Sequence, residues 1–155
     1  MNIGIDFHDT LSYAPKFFSK LAENWVGDIY IVTGTPASCR QSVEEDLELL
    51  GFKGLYKDIL MGFEYSKTNM NINHFKKMRE HKLKLLKEYN ISIYFDDNPF
   101  YADWIKDYDI VTLMLCVDKN YMKRFAKADP FFTCHLQDEM FKFLGTINDA
   151  KVKKD

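Results

Sequence analysis

"NIGIDFHDTL", residues 2–11, decides the fold. Asn2 to Asp6 read as a short buried strand, and acidic residues are poor strand formers, so Asp6 marks its end. Asp6 and Asp9 then bracket His8, with Thr10 immediately after. A carboxylate at a strand tip, beside a second acid and an imidazole, points to chemistry. The competing explanation is a plain turn, in which Asp9 or Thr10 N-caps the helix that follows.

Outward from this stretch, strands and helices alternate. Pro15 to Trp25 carries Phe17, Phe18, Leu21 and Trp25 at three- and four-residue spacing, the period of an amphipathic helix. "DIYIVTGT" (28–35) is a continuous apolar run, as expected of a strand covered on both faces. Thr35-Pro36 predicts an N-cap with proline at the first helical position. Val43, Leu47 and Leu50 form the buried stripe of that second helix, and Gly51 stops it. "GLYKDILMG" (54–62) is a third strand, and the polar stretch 64–73 a loop. A helix spans His74 to Tyr89, "ISIYF" (91–95) is a fourth strand, residues 101–108 a short helix and "DIVTLMLCV" (109–117) a fifth strand. Helices are expected at 119–128 and 136–144, separated by the turn "DPFF". The order βαβα implies an α/β fold: a Rossmann-like, doubly wound, mainly parallel five-stranded sheet with helices on both faces. Residues 1–145 make one domain and 146–155 a charged, frayed tail.

Composition sets bounds on function. The chain has 155 residues, 46% hydrophobic, enough for one core and too few for a second large domain. Its net charge of −2 offers no basic footprint for nucleic acid, but leaves room for a small phosphorylated substrate, since local charge differs from net charge. The three cysteines, Cys39, Cys116 and Cys134, are an odd number without paired spacing, which fits reduced thiols in a cytoplasmic protein. The N-terminus lacks a basic segment followed by a long apolar one, and no apolar run approaches the roughly 18 residues that span a bilayer. Cys134-His135 lacks the second ligand pair of a structural zinc site. His74 and His81 are expected on a solvated face. The aromatic residues Phe131, Phe132, Phe141 and Phe143 suggest a helix packed on the sheet, or a homo-oligomer contact.

In open parallel sheets, ligands bind beyond the carboxyl ends of the strands. Three tips carry matching groups: Asp6, then Thr33-Gly34, then Asp96-Asp97. Two acidic tips brought together repel unless a cation lies between them, and a hard divalent ion such as Mg²⁺ prefers oxygen ligands. The Thr33 hydroxyl and nearby backbone N–H groups suit an anion such as phosphate. Lys82 falls on the apolar stripe Phe75, Met78, Leu85, Leu86 and Tyr89, whereas Lys84 and Lys87 do not. A lysine there either snorkels to the domain edge or reaches the acidic tips.

In this order "IDFHDTL", "IVTGT", a helical lysine and "IYFDDNP" resemble the four motifs of the haloacid dehalogenase (HAD) superfamily, across roughly residues 2–117. The resemblance implies a capless phosphohydrolase. In it Asp6 would be the nucleophile that forms an aspartyl-phosphate. Asp6, the backbone carbonyl of His8, and Asp96, with Asp97 assisting, would hold Mg²⁺. Thr33 and Gly34 would bind phosphoryl oxygens, and Lys82 would neutralise charge and orient Asp6. One position departs from the pattern. The family's acid/base aspartate is replaced by His8, and Asp9 stands where the family has glycine. Three readings stay open: His8 transfers the proton, since an imidazole ordinarily titrates near pH 6.5; an altered turn brings Asp9 round; or the domain binds phosphate and metal but hydrolyses poorly, as a regulatory module would. Only about 22 residues separate Thr10 from Thr33, too few for a cap domain there. The 62–73 loop is the sole candidate lid. By analogy with small nucleotidases of the family, a nucleotide is a reasonable substrate.

Overall fold

Residues Asn2–Asp6 form strand β1, the centre of a five-stranded sheet. The computed structural model describes residues 1–65 and 71–116, which belong to one unit, Met1–Val117. β2 (Ile29–Val32), β3 (Asp58–Leu60), β4 (Ile91–Asp96) and β5 (Val111–Met114) complete the sheet, in the order β3-β2-β1-β4-β5. Every neighbouring pair is parallel, so the sheet is wholly rather than mainly parallel. The helices are α1 (Pro15–Asn24), α2 (Arg40–Leu49), α3 (Ile72–Glu88) and α4 (Pro99–Ile105). The architecture is Rossmann-like. The strand order reverses between β1 and β4, and that crevice is where such sheets bind ligands.

Alternation along the strands sorts the two faces. Ile3, Ile5, Ile29, Ile31 and Ile59 share one cluster with Phe18 of α1 and with Val43 and Leu47 of α2. Phe18 is fully buried and meets Phe95 edge to face at 5.3 Å. Burying such a ring contributes about 2–3 kcal/mol. The opposite face carries Gly4, Asp6, Tyr94 and Asp96. A Cβ on Gly4 would lie only 3.1 Å from Leu86 and from Tyr94, so glycine lets α3 settle close to β1.

Several local expectations need correction. Thr35 caps no helix, because its hydroxyl is bonded to that of Thr33 at 2.6 Å; a 3-10 turn, Ala37–Cys39, leads into α2 instead. β3 is short, since Lys57 and Asp58 at its entrance pair outward with Asp28 and Arg40. α3 starts two residues early. The Asn71 side chain accepts from the amides of Asn73 and His74 and so caps it. Phe17 lies outward, 56% exposed, so Phe18 alone anchors that turn. Gly51, at φ +75°, ends α2 as expected. The expected helices at 119–128 and 136–144, the tail, Cys134-His135 and the C-terminal aromatics lie outside the described residues. Among the described residues no cap domain interrupts the sheet, and no helix is long and apolar enough to cross a membrane.

Candidate active site

Register brings the acidic tips together. Gly4 pairs with Tyr94 across β1 and β4. Two residues further along each strand, on the same face, stand Asp6 and Asp96. α3 crosses that face antiparallel to the strands, and three of its residues at four-residue spacing mark its path. Leu86 packs on Gly4. Lys82 reaches the two carboxylates. Met78 covers Gly34, where an added Cβ would lie 2.2 Å from the Met78 sulfur. The lysine on the apolar stripe is therefore buried, at 3% exposure, and does not snorkel.

Lys82 Nζ donates to Asp6 Oδ1 at 2.8 Å and to Asp96 Oδ2 at 2.9 Å. It also lies 4.7 Å from the centre of the Tyr101 ring, a favourable place for an ammonium ion. Asp96 is held firmly: the Tyr94 hydroxyl donates to Oδ2 at 2.5 Å and the Asn98 amide to Oδ1 at 2.8 Å. Asn98 in turn caps α4 by accepting from the Phe100 amide. Thr10 Oγ1 lies 3.2 Å from both Asp6 Oδ2 and Asp97 Oδ1. One hydroxyl proton cannot serve two carboxylates. Both contacts become hydrogen bonds when Asp97 carries a proton and donates to Thr10. One carboxylate oxygen from each of Asp6, Asp96 and Asp97 can be chosen so that the three lie within 4.8 Å of one another.

Charge in this cluster is unbalanced. Three buried or half-buried acids face one lysine, and Asp9 adds its field to Asp97. Burial pushes Asp6 up to about 7, with Lys82 pulling down and Asp96 pushing further up. Burial, then Asp96 and Asp6, push Asp97 up to about 9. Burial opposes the charge on Lys82, yet Asp6 and Asp96 outweigh it and raise the ammonium well above its ordinary range. A second cation is what this donor set lacks, and three carboxylates suit a hard divalent metal. The buried aspartates thus form a group able to hold a metal ion.

Both acids titrate above their unfolded range, so folding favours their protonated forms. Stability from this source is present at low pH and is lost as pH rises through about 7 for Asp6 and about 9 for Asp97. The metal-free protein is expected to melt at lower temperature at pH 9 than at pH 5. A linkage of even ~2 kcal/mol moves Tm by roughly 4–8 °C. Added Mg²⁺ should raise Tm more at pH 9 than at pH 5, because at pH 5 protons occupy the same oxygens. Thermal melts across that range, with EDTA and with Mg²⁺, check both signs.

The remaining expected residues are placed less closely. Thr33 is fully buried one residue beyond Val32, which pairs with Asp6. Its hydroxyl is engaged with Thr35, and Gly34 follows it under Met78. Within the tight turn Phe7–Leu11, His8 is exposed and Asp9 is buried. Asp9 adopts φ +59°, the left-handed conformation that glycine takes most easily, and burial pushes its carboxyl up to about 6. His8 is thus the exposed residue of the turn and Asp9 the buried one, close enough to the acidic cluster for its charge to act on Asp97. Tyr94, Tyr101 and Asn98 were not singled out from the sequence. Tyr94 was legible, being two residues before Asp96 on the same strand face. His74 and His81 are not solvated. His74 is buried and His81 half-buried, both against Phe63, which follows β3.

No family model matches the chain, and no curated protein matches it. Among solved structures it is similar to a chain of the Pnkp1/Rnl/Hen1 RNA repair complex, with a TM-score of 0.54 and 16% identity. The similarity covers 74% of this chain and 42% of that one. The chain thus corresponds to less than half the length of that relative, and the likeness is one of fold.

Proposed function

We propose that the chain is a Mg²⁺-dependent phosphohydrolase of HAD type, acting on a phosphomonoester through an aspartyl-phosphate. One observation carries this reading: Lys82 bridges Asp6 and Asp96 at the switch point of the sheet, with Asp97 and Thr10 alongside. An Asp6 oxygen attacks phosphorus, the ester oxygen leaves with a proton, and water then cleaves the acyl phosphate. Lys82 and Thr10 fix the Asp6 carboxylate by one oxygen each, so its approach is set before substrate arrives. Asp6, Asp96 and Asp97 are the residues that would hold the metal, and the resemblance to the superfamily would add the His8 backbone carbonyl. Bound there, a divalent ion offsets the charge of the incoming phosphate. Thr33 and Gly34 line the phosphate side. A nucleotide or a phosphorylated RNA end are reasonable first substrates, the latter because the structural relative belongs to an RNA repair complex.

Phosphate release from p-nitrophenyl phosphate and from a panel of phosphometabolites tests this directly. Turnover should require Mg²⁺ and vanish with EDTA. A protein that binds phosphate but turns over no phosphomonoester would instead be a regulatory phosphate-binding domain. His8 is assigned the proton transfer, since it is the outward residue of the turn. His8→Ala should lose about 10²–10⁴-fold in turnover, the usual worth of a general acid, while still binding a phosphate analogue. Full activity in that variant would pass the role to Asp9.

A further inference from the structure

Arg79 has an environment that the mechanism above does not use. Its guanidinium carbon lies 4.7 Å from the centre of the Phe100 ring and 4.6 Å from that of Trp104. Phe100 and Trp104 are one turn apart on α4, which begins directly after Asp96-Asp97-Asn98. The guanidinium thus stacks against two rings. Arg79 forms no ion pair among the described residues, and its buried Nε has no hydrogen-bond partner. Arg79 is half-buried; aromatic rings offset part of the cost of the desolvation it does suffer, and a buried N–H without a partner adds a cost of its own.

Its place on α3 says what it faces. Leu86 meets the middle of β1, Lys82 the tip of β1, and Met78 the second residue beyond the end of β2. Arg79 adjoins Met78, so it lies beyond the strand tips, about 4.5 Å further along the helix axis than Lys82. It is on the α4 side of that row, as its ring contacts show. Lys82 and Arg79 both contact rings of α4, Tyr101 for Lys82 and Phe100 and Trp104 for Arg79, so both lie along the α3–α4 seam.

We propose that Arg79 is a specificity-determining residue: braced by Phe100 and Trp104, it binds a second oxyanion on the phosphomonoester. The substrate class is then a phosphomonoester bearing a further phosphate or carboxylate group. A guanidinium suits either, because its paired N–H donors match two oxygens. This rests on the phosphohydrolase reading of the same site and narrows it.

The test compares substrates that differ by one oxyanion: adenosine 3′,5′-bisphosphate against adenosine 5′-monophosphate, and 3-phosphoglycerate against glycerol 3-phosphate. The first pair probes a phosphate source and the second a carboxylate. The member bearing the second oxyanion group in at least one pair should have kcat/KM at least tenfold higher. Arg79→Met, which keeps the apolar stem between the rings, should erase that preference by raising KM for the favoured member. KM for p-nitrophenyl phosphate and the melting temperature should stay near wild type, and Arg79→Lys should fall between. The proposal is overturned if neither pair shows a preference, or if the preference survives in Arg79→Met. It is also overturned if that variant loses all substrates equally, which would make Arg79 a brace between α3 and α4. Absence of p-nitrophenyl phosphate turnover in the wild type is a separate result; it removes the phosphohydrolase reading, and this one with it.

Discussion

Asp6→Asn is expected to abolish turnover while leaving the fold intact. Loss of a nucleophile costs on the order of 10³–10⁶ in kcat, and no neighbouring acid can replace it. Asp96 is tied down by Lys82, Tyr94 and the Asn98 amide. Asp97 titrates high, so at neutral pH it carries a proton and is a poor nucleophile. The fold should persist because the amide oxygen of asparagine can still accept from Lys82. The substitution also removes an acid that burial holds near pH 7. Near pH 4 and below, the carboxyl is largely neutral in both the folded and the unfolded wild type, so the variant should come close to it there. The linkage cost builds up between the ordinary carboxylate range and about pH 7; above that the variant escapes all of it, and its metal-free Tm should equal or exceed that of wild type. Phosphate release, with melts at pH 4 and pH 8, separates the chemistry from the packing. Residual turnover within tenfold of wild type would exclude Asp6 as the nucleophile.

The arrangement that makes these outcomes sharp was largely legible in the sequence. Short apolar runs that end in acids placed Asp6 and Asp96 at strand tips, and helical spacing placed Lys82 with Met78 and Leu86. The three groups meet because β1 neighbours β4 and the lysine points inward. What escaped depends on partners distant in sequence. His74 and His81 look polar on a helical wheel, but Phe63 covers them from beyond β3. Thr35 resembles a cap before Pro36, but Thr33 competes for its hydroxyl. Asn71 lies in a polar stretch that reads as loop, yet its side chain accepts from the amides of Asn73 and His74 and so starts α3. The conformation of Asp9 also escaped: its φ of +59° is left-handed, and it is buried while His8 is exposed.

Lys82→Met should be the most destabilising single change in the site. Methionine fits the volume, but Asp6 and Asp96 lose the buried cation that both contact. Removing one partner of a buried pair costs about 3–5 kcal/mol, because the other charge stays behind in a poorly solvated place. That corresponds to a fall in Tm of roughly 6–20 °C for a chain of this size. The loss must depend on pH. Lys82 is the group that pulls Asp6 down, so without it the Asp6 carboxyl holds its proton to still higher pH. Near pH 5 the Asp6 and Asp97 carboxyls are protonated in either protein, and the gap between variant and wild type should be smallest. It should widen as pH rises past about 7, where the wild type keeps an ion pair that the variant cannot form. Mg²⁺ should narrow the gap at high pH by supplying positive charge to the same carboxylates. A gap that stays constant from pH 5 to pH 9, and is indifferent to Mg²⁺, would mean that the lysine stem packs the α3 interface and that its charge does not hold the acids together.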